Sequence, residues 1–278
     1  MSRAFRRYRP GTKIAAGLSI VSTIAETDGR HPVYLAWDHK LWAPVACKVF
    51  RNTRRAEREH KLLTSLAHPN IIRALDVYEP AMMSMEYLQG PTLADYVPDV
   101  PEVKRMSVSD VIRAICHVGS ALQHVHQRGY MHLDVKPGNV ILNNGRPILF
   151  DFGTARRIGE ERPSTRQGTD AYMPPEECRL QDVGPAADVF SLGVTLFELL
   201  TGELPFVATR KRDLLPQLTQ EPIKLRKLRP SLPRALETLV DSCLRHDPAE
   251  RPVLTKLLPG LQNFISGGAP MWPATVTP

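Results

Sequence analysis

The chain has 278 residues, 42% of them hydrophobic, and a formal net charge of +7. This length suits one large domain or two lobes around a shared cleft. No apolar run approaches the roughly 18 residues of a membrane-spanning helix, so we expect no spanning segment. The four cysteines form no CxxC pair, which favours a reducing cytoplasm over a disulfide framework. No apolar segment follows the Arg-rich start, so we expect no signal peptide.

The positive charge is concentrated in three tracts: RAFRRYR (3–9), RNTRRAER (51–58) and KLRKLR (224–229). Such charge can attract nucleic acid, an acidic membrane surface or an anionic ligand. We interpret the tracts as solvated basic faces and expect neither a membrane nor a nucleic-acid partner.

The first ninety residues predict mainly antiparallel strands with one helix, after a basic segment at residues 1–9. We predict three strands between residues 17 and 50, from the β-branched runs LSIVSTIA, PVYLAWD and PVACKVF. Apolar spacing predicts a helix over residues 53–67, which the sequence His-Pro-Asn ends. Two further strands are predicted from IIRALDVYE and AMMSMEYL.

After Gly90 the pattern becomes helical. Residues 107–129 predict a long amphipathic helix that starts at a serine and stops at a glycine. VILNNGRPILF predicts a hairpin, because Asn-Gly is a strong two-residue turn signal. A buried helix over residues 187–201 and helical segments after residue 233 follow, and residues 266–278 read as a disordered tail.

The loop MHLDVKPGNVIL (131–142) carries His132, Asp134, Lys136 and Asn139 within eight residues. The proline and glycine between them break regular structure, so the loop presents these polar groups outside a helix face. The order and length match the catalytic loop H-R-D-L-x-x-x-N of protein kinases.

Four further motifs stand in the order that this pattern requires. VACK ends at Lys48 on a predicted strand, and Glu59 lies nine residues before the His-Pro-Asn stop. DFG stands at 151–153 and PPE at 174–176. From about residue 15 to residue 262, the chain therefore resembles a eukaryotic-like (Hanks-type) serine/threonine protein kinase of the short bacterial type.

The resemblance implies an α+β, two-lobed protein-kinase fold. The small β-rich N-lobe is expected at residues 10–89 and the larger helical C-lobe at residues 90–265, with ATP in the cleft. The implied activity is ATP-dependent phosphorylation of Ser and Thr residues on proteins, with ATP and Mg²⁺ (or Mn²⁺) as cofactors. The partners would be a protein substrate and a regulatory protein, for which the basic tract 224–229 is a candidate surface.

Phosphoryl transfer depends mainly on positioning and charge neutralisation. By resemblance, Asp134 accepts or orients the substrate hydroxyl proton, and Lys136 reaches the γ-phosphate. Thr169 bridges these two side chains, and Lys136 with Thr169 is the family's arrangement for Ser/Thr rather than Tyr. Asn139 and Asp151 are the implied metal ligands.

On the ATP side, Lys48 is implied to hold the α- and β-phosphates, and Glu59 to pair with Lys48. Glu57 is the neighbour with which Glu59 could be confused. The other implied ATP contacts are the ring-covering residues and the hinge, with its gatekeeper methionine: Val33, Ala46, Met85, Glu86 and Leu88.

The resemblance also implies structural roles. His132 is expected to stack in a hydrophobic spine rather than act as a base, and Asp188 to accept backbone N–H bonds from the catalytic loop. The remaining implied contacts are the spine partners Leu63 and Phe152 and the ion pair of Glu176 with Arg251.

The glycine-rich loop departs from the family pattern. Counted back from Val33, the pattern G-x-G-x-x-G-x-V falls on ETDGRHPV. Glu26, Asp28 and His31 occupy the glycine positions, and Gly29 is out of register. Acidic side chains near the phosphates predict weak nucleotide binding.

The catalytic loop departs as well, because Leu133 replaces the arginine that precedes the catalytic aspartate. A leucine has no donor with which to pair a phosphorylated residue. We therefore hypothesise that phosphorylation of the activation segment, 151–176, does not switch the enzyme on. The candidate acceptors in this segment are Thr154, Ser164, Thr165 and Thr169, and its basic residues are Arg156, Arg157, Arg162 and Arg166.

Two other functions remain open from the sequence. A pseudokinase scaffold agrees with the altered glycine loop but not with the complete Lys, Glu, Asp, Asn and Asp set. A small-molecule phosphotransferase of the aminoglycoside-kinase type shares the Asp…Asn loop, but usually lacks DFG and the GT..Y..PE segment.

Overall fold

A computed structural model describes residues 7–14, 17–25, 31–97, 106–161, 163–208 and 214–265. The chain separates into two compact units, Met1–Gln89 and Gly90–Pro278. The glycine positions held by Glu26 and Asp28 and the predicted tail lie outside the described residues, as do residues 1–6 of the basic segment and Arg162.

The first unit is built on a six-stranded antiparallel sheet with strand order β1-β2-β3-β4-β6-β5. The strands are β1 (Lys13–Ile14), β2 (Leu18–Ala25), β3 (Val33–Asp38), β4 (Ala43–Val49), β5 (Ala74–Tyr78) and β6 (Met82–Glu86). One helix, α1 (Thr53–Thr64), lies between β4 and β5. The five long strands and the helix are those that the alternation and spacing predict.

Alternation along the strands fills the core of this unit. Tyr34 and Ala36 on β3 and Cys47 on β4 are fully buried. α1 begins after Asn52, whose side chain accepts a hydrogen bond from the Arg55 amide at 3.0 Å and so caps the helix.

The second unit is mainly helical and carries two small antiparallel strand pairs, β7 with β10 and β8 with β9. Its helices are α2 (Val108–Gln127), α3 (Pro175–Cys178), α4 (Ala186–Thr201), α5 (Leu225–Leu228), α6 (Arg234–Cys243) and α7 (Leu254–Gln262). Its strands are β7 (Tyr130–Met131), β8 (Val140–Asn143), β9 (Arg146–Leu149) and β10 (Arg156–Arg157). Within the described ranges, no helix has the length and apolar content needed to cross a membrane.

Local signals define the elements that carry the catalytic loop. The Ser107 hydroxyl caps α2 by accepting from the Asp110 amide at 3.1 Å. Gly129 follows the helix with φ +80°, a left-handed conformation that suits glycine. Asn144 and Gly145 both have positive φ, as the two-residue turn between β8 and β9 requires.

The sequence pattern did not predict the shortest strands and helices. β10 and α3 both lie between residues 153 and 185, where the sequence pattern indicates neither helix nor strand. β7 pairs with β10 in the register Met131 to Arg156. Two-residue strands and one-turn helices contain too few residues for a period to show.

The basic tract 224–229 is largely engaged within the second unit. Lys224 bonds the Asp241 carboxylate at 2.8 Å, and Arg229 donates to the Leu200 carbonyl at 2.8 Å. The Arg226 guanidinium donates to the Leu232 carbonyl at 3.0 Å. Lys224 is nevertheless exposed, with 61% of its side chain accessible, and Arg226 and Arg229 are partly exposed, so the tract lies at the surface as predicted while its side chains also bond within the unit.

Candidate active site

A buried ion pair joins β4 to α1 in the first unit. The Lys48 ammonium lies 2.7 Å and 3.1 Å from the two Glu59 carboxylate oxygens, and both side chains are 7% exposed. Glu57 is exposed on another face of α1. Glu59, not Glu57, is therefore the partner of Lys48, as the spacing predicted.

Four predicted residues project from one face of the six-stranded sheet. Val33 is the cross-strand partner of Lys48, and Ala46 is the partner of Met85. Lys48 and Ala46 are two residues apart on β4, so their side chains point to the same side. This face thus presents the ammonium beside an apolar surface. Of the two hinge residues, Glu86 ends β6 and Leu88 is buried two residues later.

Asp188 of α4 fixes the backbone of the catalytic loop. Its fully buried carboxylate accepts from the amides of His132 at 2.9 Å and Leu133 at 2.8 Å. The His126 ring also lies 2.8 Å from this carboxylate. Burial opposes ionisation, but these hydrogen bonds and the nearby histidines outweigh it and hold the pKa of Asp188 below its usual value.

His132 has a structural role in the loop, as predicted. Its Nδ1 accepts from the Asp134 amide at 3.2 Å, which leaves Nε2 to donate to the Phe150 carbonyl at 3.2 Å. Its fully buried ring lies edge-on to Phe152 with centroids 4.6 Å apart. A ring engaged at both nitrogens has no free position for catalytic proton transfer.

Asp134 is the centre of the polar cluster. Its Oδ2 accepts from the Lys136 ammonium at 2.7 Å and from the Asn139 amide at 2.8 Å. Its Oδ1 accepts from the Thr169 hydroxyl at 2.7 Å. The Lys136 ammonium also contacts the Thr169 hydroxyl, so the structure brings the three predicted catalytic side chains together.

The side chains of Asn139 and Asp151 carry oxygen donors that could hold a divalent metal ion. Both Asn139 amide hydrogens point to Asp134, to its carbonyl and carboxylate, which turns oxygen Oδ1 away from that residue. The Phe150 amide donates to the Asn139 carbonyl at 3.0 Å and so brings Asp151 close to Asn139. Carboxylate and amide oxygens are hard donors of the type that Mg²⁺ prefers.

Asp151 and Leu133 both adopt left-handed backbone conformations, with φ +59° and φ +63°. Residues other than glycine seldom adopt this region, and such strain is concentrated at functional sites. The Asp188 contacts hold Leu133 in this conformation.

Contacts to the catalytic loop and to α4 hold the activation segment. Gly168 has φ +101°, and a Cβ there would lie 2.8 Å from the Leu133 carbonyl oxygen. From α4, Ser191 donates to the Tyr172 carbonyl at 2.8 Å, and Glu198 accepts from the Tyr172 hydroxyl at 2.6 Å. The sequence pattern gives no signal for these contacts, because their partners lie far away along the chain.

The predicted ion pair of Glu176 with Arg251 is bidentate, at 2.7 Å and 2.8 Å. The same guanidinium donates to the carbonyls of Ala186, Arg245 and His246. This fully used arginine ties the end of the activation segment to the helical core.

The surroundings of Leu133 are apolar. This residue stands at the position where the family pattern has an arginine. Leu133 packs with Met131, Ala187 and Val183. Nearby, Arg156 is buried on β10, and its Nη1 has no hydrogen-bond partner among the described residues. Burial raises the pKa of Glu177 to about 8, although the Arg156 charge acts in the opposite direction.

Known proteins resemble this chain over most of its length. The kinase PrkC of Bacillus subtilis is 30% identical over 87% of this chain and 39% of its own length. The DNA damage-responsive kinase RqkA of Deinococcus radiodurans is 32% identical over 82% of this chain and 36% of its own length. Both are named serine/threonine-protein kinases, and the chain spans about two fifths of the length of such relatives.

A solved structure has the same fold. The crystal structure of a mutant of the Mycobacterium tuberculosis PknI kinase domain aligns with a TM-score of 0.71 and 27% identity, over 94% of this chain and all of that one. The predicted fold class, a β-rich N-lobe and a helical C-lobe, is confirmed. The family model described as the protein kinase domain matches residues 31–260, and the chain therefore belongs to the protein kinase domain family.

Proposed function

We propose that this chain transfers the γ-phosphoryl group of ATP to Ser or Thr hydroxyls of protein substrates. The observation that carries the proposal is the cluster in which Asp134 receives hydrogen bonds from Lys136, Asn139 and Thr169. Relatives named as serine/threonine-protein kinases support the same activity.

In the proposed reaction, Asp134 orients the acceptor hydroxyl and takes its proton. The hydroxyl oxygen attacks the γ-phosphorus, and the bond from that phosphorus to the bridging oxygen of ADP breaks. Lys136 donates to the γ-phosphate oxygens as the group moves. Thr169 holds Asp134 and Lys136 at a fixed separation, the arrangement that the family uses with Ser and Thr acceptors.

Lys48 binds the α- and β-phosphates in this proposal, and Glu59 fixes its direction through their ion pair. Val33 and Ala46 cover the adenine, and Met85 is the gatekeeper. The hinge backbone of Glu86 and Leu88 bonds the adenine edge. Asn139 and Asp151 would hold Mg²⁺ or Mn²⁺, which would neutralise phosphate charge.

Transfer of label from γ-labelled ATP to myelin basic protein tests the proposal. We expect transfer with Mg²⁺ or Mn²⁺, and loss of transfer with EDTA or in Asp151→Ala. Equal labelling by Asp151→Ala and the wild type would overturn it.

The same assay separates the two alternatives. A pseudokinase scaffold would bind nucleotide without transferring label. A small-molecule phosphotransferase would label an aminoglycoside but not a protein. The DFG motif and the ordered segment from Thr169 to Glu176 support a protein acceptor over a small molecule. A regulatory protein partner and a cytoplasmic location remain predictions from sequence.

A further inference from the structure

The backbone of residues 170–173 forms a short 3-10 turn, Asp170–Tyr172, between Thr169 and α3. Within this turn, the Met173 amide donates to the Asp170 carbonyl at 3.3 Å, which leaves one lone pair of that carbonyl and the Met173 carbonyl for donors from elsewhere in the chain. These residues follow directly after Thr169 of the catalytic cluster. Because the Thr169 hydroxyl bonds Asp134, these residues lie beside the carboxylate that would orient the acceptor hydroxyl in the proposed reaction.

Gln217 donates hydrogen bonds to two backbone carbonyls of this segment. Its Nε2 donates to the Asp170 carbonyl at 2.7 Å and to the Met173 carbonyl at 3.0 Å. The same nitrogen lies 3.3 Å from the Cys178 sulfur. The two carbonyl acceptors establish which end of the amide faces the segment, because only the NH₂ end donates.

Gln217 is 1% exposed, a rare degree of burial for a glutamine. It belongs to a 3-10 turn, Pro216–Leu218, that lies more than forty residues along the chain from Asp170. The buried NH₂ group is satisfied because both of its hydrogens have acceptors. A side chain without these donors would leave the Met173 carbonyl with only the weak Cys178 thiol donor and the Asp170 carbonyl with only the Met173 amide.

The neighbouring thiol strengthens this arrangement. Burial raises the pKa of Cys178 to about 12, so the sulfur keeps its proton. The Sγ–H donates to the Met173 carbonyl at 3.7 Å, and the sulfur lies in contact with the Gln217 amide nitrogen, whose two hydrogens are directed to the carbonyls. The amide, the thiol and the carbonyl thus form a closed buried group behind residues 170–173.

We propose that Gln217 is a positioning residue for protein substrate, which holds residues 170–173 where the acceptor peptide docks. This inference rests on the proposed kinase activity and adds a residue to its substrate side. Gln217 makes none of the hydrogen bonds described for Asp134, Lys136 or Asn139, so its effect should fall on the acceptor and not on ATP.

Gln217→Met tests this role because methionine keeps the length and volume and removes both donors. We expect the KM for myelin basic protein to rise at least tenfold, with the KM for ATP within twofold of wild type. Gln262→Met is the matched control, since Gln262 is exposed on α7, and both of its KM values should remain unchanged.

Hydrogen–deuterium exchange provides a readout that does not need catalysis. Amides of residues 170–178 should exchange faster in Gln217→Met, while α2 and α4 keep their protection. If wild type transfers no phosphate, the proposed function fails, and the exchange pattern still decides whether Gln217 holds the segment.

Gln217→Glu is the second variant, also used if the methionine variant does not fold. A protonated carboxyl has one donor, and an ionised one has none. The KM of Gln217→Glu for the acceptor, divided by that of wild type at the same pH, should therefore fall from pH 8 to pH 6. An unchanged acceptor KM with unchanged exchange would overturn the proposal. A lower kcat with an unchanged acceptor KM would also overturn it, because that result indicates only that fewer molecules are folded.

Discussion

At the scale of single residues, close approach decides which side chains the catalytic loop tolerates. Asp134 has both carboxylate oxygens occupied by donors from its own loop and from Thr169. Thr169 can reach Asp134 because Gly168, one residue earlier, passes beside the Leu133 carbonyl. The activity should therefore depend on a glycine that takes no part in the chemistry.

Gly168→Ala should reduce phosphoryl transfer at least a hundredfold, because its Cβ would lie 2.8 Å from the Leu133 carbonyl oxygen. Gly159→Ala is the matched control. Gly159 also has a positive φ, of +78°, but no described atom lies within 4 Å of its Cβ position. Initial rates at saturating ATP measure the difference, and equal losses in the two variants would contradict the close-approach explanation.

The buried carboxyl group of Glu177 should make the free energy of unfolding depend on pH. Because burial raises its pKa to about 8, the folded state keeps a proton that the unfolded state releases near the ordinary value of 4.5. The unfolded state then binds fewer protons, so the free energy of unfolding falls as pH rises toward 8.

Urea unfolding of the wild type and Glu177→Gln from pH 5.5 to 8.5 measures this effect. Between pH 6 and pH 8, the wild type should lose on the order of 1–2 kcal/mol relative to the variant. Arg156 acts in the opposite direction. If wild type instead gains stability relative to Glu177→Gln as pH rises, Arg156 rather than burial controls the carboxyl group.

At the scale of elements, side chains of α4 and Arg251 hold the second half of the activation segment. Ser191 and Glu198 of α4 hold Tyr172, and Arg251 holds Glu176 through two hydrogen bonds. Leu133 is packed in an apolar cluster and has no donor for a phosphate. These contacts support the hypothesis that the segment keeps its working shape by its own packing.

Replacing Ser164 and Thr165 by Ala should leave initial rates on an exogenous substrate within about threefold of wild type, a difference under roughly 0.7 kcal/mol in barrier. Both side chains are exposed and lie before the fixed part of the segment. The unphosphorylated wild-type protein should also have an initial rate within this threefold range. A hundredfold loss that phosphorylation of the wild type reverses would show that a basic residue such as Arg157 replaces the absent arginine.

The sequence predicted those elements and site residues that short local patterns define. Lys48, Asp134, Asn139 and Asp151 belong to motifs only a few residues long, and α2 is long enough to show its period. Gln217 and Ser191 could not be predicted in this way, because each bonds a residue that is distant in sequence. Such contacts depend on how the helices pack, which one sequence does not show.

At the scale of the whole molecule, the described elements belong to a protein kinase domain, while the glycine-rich loop departs from the pattern of the family. Residues 26–30 lie outside the described residues, so this departure is known from the sequence alone. The sequence places acidic Glu26 and Asp28 where glycine amides normally approach phosphates. Like charges raise the free energy of a bound anionic nucleotide.

The KM for ATP should accordingly lie toward the upper end of the roughly 1 μM–1 mM range that is typical of enzymes. Replacing Glu26 and Asp28 by Gly should lower both the KM and the dissociation constant for ATP, measured by initial rates and by calorimetry. An unchanged or weaker affinity would show that these two residues do not occupy the glycine positions.

The measurement that tests the central claim most directly is the identification of phosphorylated residues by mass spectrometry, after the purified chain is incubated with ATP and Mg²⁺. Asp134→Asn is the control, because it keeps the shape of the side chain and removes the carboxylate that takes the proton. We expect phosphoserine or phosphothreonine in the wild-type sample and none in Asp134→Asn. Phosphate on tyrosine only, or equal phosphorylation of the two proteins, would contradict it.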